Sequence, residues 1–275
     1  MIKIEDLSFK YKESNYIFQN INLDIKNGEC IAIVGKNGAG KSTLAKLLAG
    51  LIKPTKGNIT VDEINTKEKS KYIDLRKKIG IVFQNPENQI IFNNLEDELS
   101  FALKNLKLED IDLRINEALK KVKLEKGKIG EIDELSLGQK QRITIAGVLA
   151  VNPEYIVFDE PTTMIDSDGK EAVYKIIKNL KENGYTIIYI TNNTEEIMLA
   201  DRTLILDDGK IAEEIKKEEL LEKIEILKKY NLKVPVAISI LDKLRENNII
   251  INPKDFSVDN IMEEMLEVML NEERN

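Results

Sequence analysis

The chain has 275 residues, of which 42% are hydrophobic and 32% are charged, and its formal net charge is −7. This length suits one full α/β domain with a smaller appendage. The acidic balance argues against a nucleic-acid partner, because such proteins usually carry a basic excess. The chain contains no histidine, which excludes histidine metal ligands and histidine general bases.

No apolar run approaches the ~18 residues that a membrane-spanning helix needs. The first residues, MIKIEDLSFKY, lack the apolar core of a signal peptide. The single cysteine, Cys30, permits no internal disulfide and lies in an apolar run, which predicts a small buried side chain rather than a reactive thiol. We therefore expect a cytosolic protein.

The first elements are predicted to be β-strands. Ile2, Ile4 and Phe9 alternate with polar residues, and so do Ile21, Leu23 and Ile25. Alternation of this kind is typical of half-buried strands in an antiparallel layer. A continuous apolar strand, Cys30 to Val34, follows.

The segment GKNGAGKS, Gly35 to Ser42, lies directly between that strand and a helix-forming run. In this setting the pattern G-x-x-x-x-G-K-[ST] binds the phosphates of a nucleoside triphosphate. The glycines allow successive backbone N–H groups to converge on an anion, and the helix start adds unpaired N–H groups. Lys41 can reach the β- and γ-phosphates, and the Ser42 hydroxyl can ligate Mg²⁺. The predicted nucleotide-binding residues are Gly35, Lys36, Asn37, Gly38, Ala39, Gly40, Lys41, Ser42 and Thr43.

A helical insert, about residues 85–150, is predicted after the strands Ile59 to Val61 and Ile79 to Phe83, because apolar residues recur at helical spacing. It ends in LSLGQKQR, Leu135 to Arg142, where Ser136 is a natural N-cap for the helix that follows. The hydroxyl of Ser136, the N–H of Gly138 and the helix start at Gln139 could form a second phosphate-binding device. An ordinary capped helix explains this segment equally well when it is considered alone.

The run Tyr155 to Asp159 predicts a buried strand that ends in two carboxylates, Asp159 and Glu160. Asp159 is placed to hold Mg²⁺, and Glu160 can act as the general base toward water. A helix from Gly169 and two further strands, Tyr185 to Ile190 and Arg202 to Leu206, complete the predicted core.

The character of the chain changes after about residue 213. Residues 217–230 are rich in lysine and glutamate, and residues 258–270 carry an apolar stripe that includes Ile261, Met265, Leu266 and Met269. Such a stripe is more often core packing than a partner-binding helix, and both interpretations stay open. We predict a nucleotide-binding domain, residues 1–213, and a C-terminal extension, residues 214–275, for dimerisation or partner contact.

The three motifs together resemble the ATP-binding subunit of an ABC transporter, over residues 1 to about 213. The resemblance implies a P-loop α/β fold: a RecA-like mixed sheet with an N-terminal antiparallel β layer, a helical subdomain and a small α/β or helical extension. It implies ATP and Mg²⁺ as ligands. Tyr11 is expected to stack on adenine, Gln84 to contact metal, water and the membrane partner, and Asn192 to occupy the position of the family's switch histidine.

Three segments are similar, more narrowly, to the first ATPase subunit of energy-coupling factor (ECF) transporters: FQNPENQ, GQKQRITIAGVLA and DEPTTMIDSDGK. This resemblance implies an ATP-hydrolysing subunit that energises uptake of vitamins or transition-metal ions. It also implies a second ATPase, identical or different, a transmembrane scaffold and a substrate-binding membrane protein. The expected location is the cytoplasmic face of the cell membrane.

Two residues depart from the family pattern. Leu137 replaces a glycine of the signature, and its side chain is expected to crowd the phosphate site. Asn192 replaces histidine and can supply only a neutral hydrogen bond. The alternative hypothesis is therefore a nucleotide-dependent clamp in a heterodimeric ATPase pair, which binds ATP but scarcely hydrolyses it. A soluble ABC ATPase acting on DNA or ribosomes is disfavoured by the acidic charge.

Overall fold

Ten strands form two sheets in the part of the chain that the computed structural model describes, residues 1–12, 14–249, 251 and 258–272. The strands are β1 (Ile2–Phe9), β2 (Phe18–Ile25), β3 (Cys30–Gly35), β4 (Lys56–Val61), β5 (Ile64–Asn65), β6 (Ile79–Val82), β7 (Tyr155–Asp159), β8 (Thr186–Ile190), β9 (Arg202–Asp207) and β10 (Lys210–Lys216). The helices are α1 (Lys41–Leu48), α2 (Tyr72–Lys78), α3 (Leu95–Asn105), α4 (Ile111–Lys121), α5 (Leu137–Val151), α6 (Ser167–Glu182), α7 (Ile224–Lys229), α8 (Val236–Glu246) and α9 (Val258–Glu272).

The larger sheet has the order β10-β9-β3-β8-β7-β6, and all its neighbours are parallel except β10 and β9. Strands β3, β7 and β8 are buried along their whole length, as expected for parallel strands covered on both faces. Parallel strands end at a common edge, and ligands bind outside their carboxyl ends. The phosphate loop continues from β3, Asp159 ends β7 and Asn192 follows β8, so the topology brings them to one edge.

The smaller sheet is antiparallel, with the order β2-β1-β4-β5, which confirms the predicted N-terminal layer. Ile2 pairs with Ile25 and Ile4 with Leu23, but the register shifts before Leu7 pairs with Ile21. Asp6, at this irregularity, has a φ of 50°. The bulge explains why the buried positions of β1 change from even to odd numbers along the strand.

The predicted helical insert consists of α3, α4 and α5 and lies between β6 and β7. The three helices pack on one another through a shared apolar cluster, whose members include Leu99, Leu103, Ile115, Leu119, Ile143 and Leu149. Ser136 caps α5 as predicted, and its side chain accepts a hydrogen bond from the Gln139 N–H. The insert therefore presents the start of α5 as a rigid, capped end.

The C-terminal residues continue the same core rather than starting a new one. β10 runs to Lys216, so it crosses the predicted boundary after residue 213. Ile215, Leu220 and Leu227 are buried in the cluster that also contains α3–α6. The described residues after 216 form helices, turns and short irregular segments, and the division into two units stays a prediction.

The apolar stripe of α9 divides between core and surface. Ile261 is buried in the apolar cluster that contains α3–α6. Met265 is half-buried and Leu266 is exposed. The side chain of Met269 lies outside the described residues. Among the helices that the structure describes, none combines the length and the apolar character that crossing a membrane requires.

Candidate nucleotide-binding site

The phosphate loop has the backbone that its glycines predict. Gly35, Gly38 and Gly40 have φ values of 155°, 84° and 96°. A Cβ on Gly40 would lie 2.7 Å from side-chain atoms of Ile17 and Phe18. Glycine is needed at Gly40 both for its conformation and for this close approach. The N-cap Gly40 provides no side-chain hydrogen bond to α1, so the first N–H groups of this helix stay available to an anion.

The Lys41 side chain is buried and lies over the loop. Its Nζ donates to the carbonyl oxygens of Gly35 (2.9 Å) and Lys36 (3.1 Å). It lies 3.9 Å from Glu160 Oε1. Burial lowers the pKa of Lys41, and the nearby carboxylates of Glu160 and Asp159 oppose that shift. The ammonium group is thus held between the loop and the carboxylates at the ends of the strands.

Ser42 and Asp159, two of the three residues predicted to hold Mg²⁺, are in direct contact. The Ser42 hydroxyl donates to Asp159 Oδ1 at 3.0 Å, and Asp159 is buried. Burial raises the pKa of Asp159, while the Ser42 hydrogen bond lowers it. Within the described residues no group of three or more acidic or cysteine side chains could hold a metal. Hydroxyl and carboxylate oxygens fit Mg²⁺, which takes its remaining ligands from phosphates and water.

Glu160 is held in a strained conformation between two loops. Its φ is 50°, a left-handed value that costs a non-glycine residue ~1–2 kcal/mol. Its N–H donates to the Ile190 carbonyl at 2.9 Å, and Thr163 Oγ1 donates to its Oε2 at 3.2 Å. Asn192 Nδ2 donates to Glu160 Oε1 at 2.7 Å and to Asn37 Oδ1 at 3.1 Å. Asn192 therefore joins the predicted base to the phosphate loop, a contact that the sequence did not reveal.

Gln84 follows β6, which pairs with β7 next to Asp159. The residue before it, Phe83, is fixed on both sides: its N–H donates to Gln89 Oε1 at 3.0 Å, and its carbonyl accepts from Gln141 Nε2 at 3.0 Å. Gln141 belongs to α5, so the helix of the signature segment anchors the Gln84 loop. Sequence reasoning did not single out Gln89 or Gln141. The signal for Gln141 is a glutamine among the mostly apolar residues that α5 buries.

Tyr11 lies beside the phosphate loop. Its ring is 44% exposed and meets Phe9 edge-on, with 4.9 Å between centroids. Its hydroxyl lies 3.5 Å from Thr43 Oγ1. Tyr11 lines a cleft of about 660 Å³ with Asn37 and Gly38. An exposed aromatic face next to a phosphate loop is suited to stacking on a base.

The signature residues lie apart from this group. Ser136 and Gln139 form a reciprocal capping box, with Ser136 N–H donating to Gln139 Oε1 at 3.0 Å. In the described part of the chain, no hydrogen bond joins them to the phosphate loop. A Cβ on Gly138 would lie 3.1 Å from Gly169 Cα, so Gly138 also permits close packing on α6. Leu137 is half-buried and packs on the apolar cluster that contains α3–α6.

Comparisons with known proteins place this site in a family. The ABC transporter family model matches residues 18–163. The ECF transporter ATP-binding protein EcfA1 of Ligilactobacillus salivarius is 43% identical, over 96% of this chain and 94% of its own length. The chain belongs to the ABC transporter family. The chain, called the cassette below, is also 39% identical to EcfA1 of Clostridioides difficile, over 98% of this chain and 99% of that protein. These relatives place it with the ECF ATP-binding proteins.

Solved structures confirm the ABC ATPase fold of the cassette. CbiO1 from Clostridium perfringens, described as part of the ABC transporter complex CbiONQ, superposes with a TM-score of 0.73 and 33% identity, over 88% of this chain and 98% of that one. The ATP-binding cassette MJ0796, solved as a dimer bound to ADP and phosphate, superposes with a TM-score of 0.70 and 33% identity, over 79% of this chain and 99% of that one. The cassette is an ATP-binding ATPase of a membrane transporter.

Proposed function

We propose that this cassette is the ATP-hydrolysing subunit of an ECF-type importer and that the edge of its parallel sheet carries the chemistry. Ser42 and Asp159 hold Mg²⁺, Lys41 contacts the β- and γ-phosphates, Glu160 activates water and Asn192 orients Glu160. The observation that carries this assignment is the pair of contacts at one edge, Ser42 to Asp159 at 3.0 Å and Asn192 to Glu160 at 2.7 Å.

Each of these residues has a defined task. Mg²⁺, when bound, neutralises charge on the phosphate oxygens. Glu160 is positioned to accept a proton from water, because its backbone N–H donates to Ile190 and its carboxylate accepts a hydrogen bond from Asn192. Gln84 reaches the same edge from β6. Tyr11 holds the adenine at the far end of the cleft.

The signature segment Ser136, Gly138 and Gln139 is proposed to bind the nucleotide of a second cassette. Its capped helix start has no hydrogen bond to its own phosphate loop within the described residues, and a related cassette was solved as a dimer. The second ATPase is the same chain or a different one. We further propose a transmembrane scaffold and a substrate-binding membrane protein as partners, at the cytoplasmic face of the cell membrane, with vitamins or transition-metal ions as the transported substrates.

The clamp hypothesis, in which ATP is bound but scarcely hydrolysed, rests on the neutral side chain of Asn192 and on Leu137 in the signature segment. The hydrogen bond from Asn192 to Glu160 favours turnover, because the amide still orients the base. Measured turnover distinguishes these two functions.

The test is nucleotide binding and ATP turnover of the purified chain, alone and with its partner ATPase, in Mg²⁺ or in EDTA. Lys41→Ala is expected to lose ATP binding while circular dichroism stays unchanged. Glu160→Gln is expected to bind ATP, accumulate as a closed dimer and turn over negligibly. Glu171→Gln, at an exposed site on α6, is the matched control and should keep parental turnover.

An unchanged ATP dissociation constant in Lys41→Ala, or parental turnover in Glu160→Gln, would contradict the assignment. The transport role is tested by isolating the chain with its partners from membranes and measuring substrate uptake into vesicles. Uptake should require Mg·ATP and should be absent when Glu160→Gln replaces the parental chain.

A further inference from the structure

Glu196 is a buried carboxylate that none of the recognised motifs contains. It lies in the 3₁₀ turn Thr194–Leu199, and it is only 4% exposed. Thr162 Oγ1 donates to its Oε1 at 2.6 Å, and Thr191 Oγ1 donates to its Oε2. No ion pair to Glu196 occurs in the described residues. A buried carboxylate without a cation is costly, and here two threonine hydroxyls offset part of that cost.

The two threonines belong to the two loops that carry the proposed catalytic groups. Thr162 lies two residues after Glu160, and Thr191 directly precedes Asn192. The Glu196 carboxylate therefore holds both loops through hydrogen bonds. Thr191 Oγ1 also accepts the Asn193 N–H at 2.9 Å, which fixes the backbone on the far side of Asn192.

The chemistry of the contact favours glutamate at this position. Both threonine hydroxyls donate, and a carboxylate can accept both with separate oxygens. A glutamine has one acceptor oxygen, so its NH₂ group would have to face one of the hydroxyls. The Tyr189 hydroxyl lies in the same region: burial raises its pKa, and the Glu196 carboxylate raises it further.

We propose that Glu196 is a positioning residue for ATP hydrolysis, which sets the separation of Glu160 and Asn192 by tying Thr162 to Thr191. The inference rests on the proposed function, because it assigns the catalytic roles to Glu160 and Asn192. Catalytic groups must be held within ~0.5 Å of their productive geometry. The Asn192–Glu160 hydrogen bond of 2.7 Å joins the loops that follow β7 and β8. The pairing of these two strands fixes only the start of each loop.

The test compares kcat and KM for ATP in full-length Glu196→Ala and Glu196→Gln, in the assembly that hydrolyses ATP. We expect Glu196→Ala to lower kcat about 10-fold, which corresponds to ~1.4 kcal/mol, with KM unchanged. Glu196→Gln should restore part of that loss, because it keeps one acceptor. Glu195→Ala is the matched control, since the neighbouring Glu195 is exposed and accepts from the Val236 N–H on α8.

Thr162→Val and Thr191→Val decide the outcome if Glu196→Ala does not fold, because each removes one hydroxyl without changing shape. Each is expected to lower kcat without raising KM, and Thr162→Val combined with Glu196→Ala should not add to the effect of Glu196→Ala alone. Parental kcat in the Val variants, or a loss in Glu196→Ala confined to KM, would overturn the proposal. Glu160→Gln is assayed in parallel: turnover by that variant would contradict the proposed function, whereas its loss with parental Glu196→Ala would contradict the positioning role alone.

Discussion

Replacing Asn192 with aspartate would exchange a hydrogen bond to Glu160 for a contact between like charges. Asn192 Nδ2 lies 2.7 Å from Glu160 Oε1 and 3.1 Å from Asn37 Oδ1. Asparagine and aspartate have nearly the same shape, so Asn192→Asp changes charge and donor capacity but not packing. It therefore tests the contact itself.

The magnitude follows from two effects. A hydrogen bond to a charged group contributes ~1.5–3 kcal/mol. Two unit charges ~4 Å apart repel by ~1 kcal/mol in water and by ~4 kcal/mol at an effective dielectric constant of ~20. Because Asn192 is exposed, its new carboxylate can turn away and relieve part of the repulsion. A net ~2 kcal/mol in the barrier to hydrolysis is expected, which slows turnover about 30-fold.

The assay is ATP turnover as a function of pH, with ATP affinity measured in parallel. Glu160 faces the introduced carboxyl and raises its pKa above the usual range. The repulsion is therefore present above that pKa and is lost as pH falls through it, so the deficit should narrow toward acidic pH. Asn193→Asp is the matched control, because Asn193 Oδ1 only accepts, from the Glu195 N–H at 3.2 Å, and aspartate caps equally well. Equal turnover of the two variants across pH would refute the reasoning.

Three further predictions concern neighbouring positions. Asn192→His should raise turnover roughly 3- to 30-fold with little change in ATP affinity, because a charge-assisted hydrogen bond exceeds a neutral one by ~0.7–2 kcal/mol. Turnover is measured in a dimer whose other site is silenced, and a parental rate would contradict the prediction. Tyr11→Ala should weaken ATP binding by ~1–3 kcal/mol and Tyr11→Phe hardly at all; equal losses in a titration would exclude stacking. Burial raises the pKa of the Cys30 thiol to about 12, so thiol reagents at pH 8 should label only molecules that have unfolded around Cys30. ATP at 100 times its Kd should slow this labelling ~100-fold relative to the protein without ATP, and rapid labelling of the native protein would contradict the prediction.

The sequence predicts the main contacts of the site because each motif follows a strand of recognisable type. Cys30 to Val34 and Tyr155 to Asp159 are short apolar runs, and such runs pair as parallel strands. Parallel strands end at one edge, so the Ser42–Asp159 contact could be expected from the order of the motifs alone. The antiparallel layer was also predictable, because a strand whose apolar residues alternate with polar ones has a single apolar face to bury.

The contacts that escaped prediction join residues that are distant in sequence and of ordinary type. Glu196 and Thr162 are 34 positions apart, and neither belongs to a pattern with a periodicity. The close approach of Gly138 to Gly169 depends on how α5 and α6 cross, which helical spacing does not encode. β10 continues through residue 213, where the composition of the chain changes, because Ile215 still has a core position to fill; the division into two units stays a prediction.

The two departures from the family pattern have different physical consequences. Leu137 is half-buried and packs its side chain on the core of its own chain, and its effect on a nucleotide held by the signature segment stays a prediction. Asn192 contacts Glu160 directly, so its effect falls on the reacting groups. In a dimer that places each nucleotide between the phosphate loop of one cassette and the signature of the other, a different partner chain would separate the two departures. The rate of the site built on this chain's own phosphate loop is then the quantity that Asn192 controls, whatever the partner contributes.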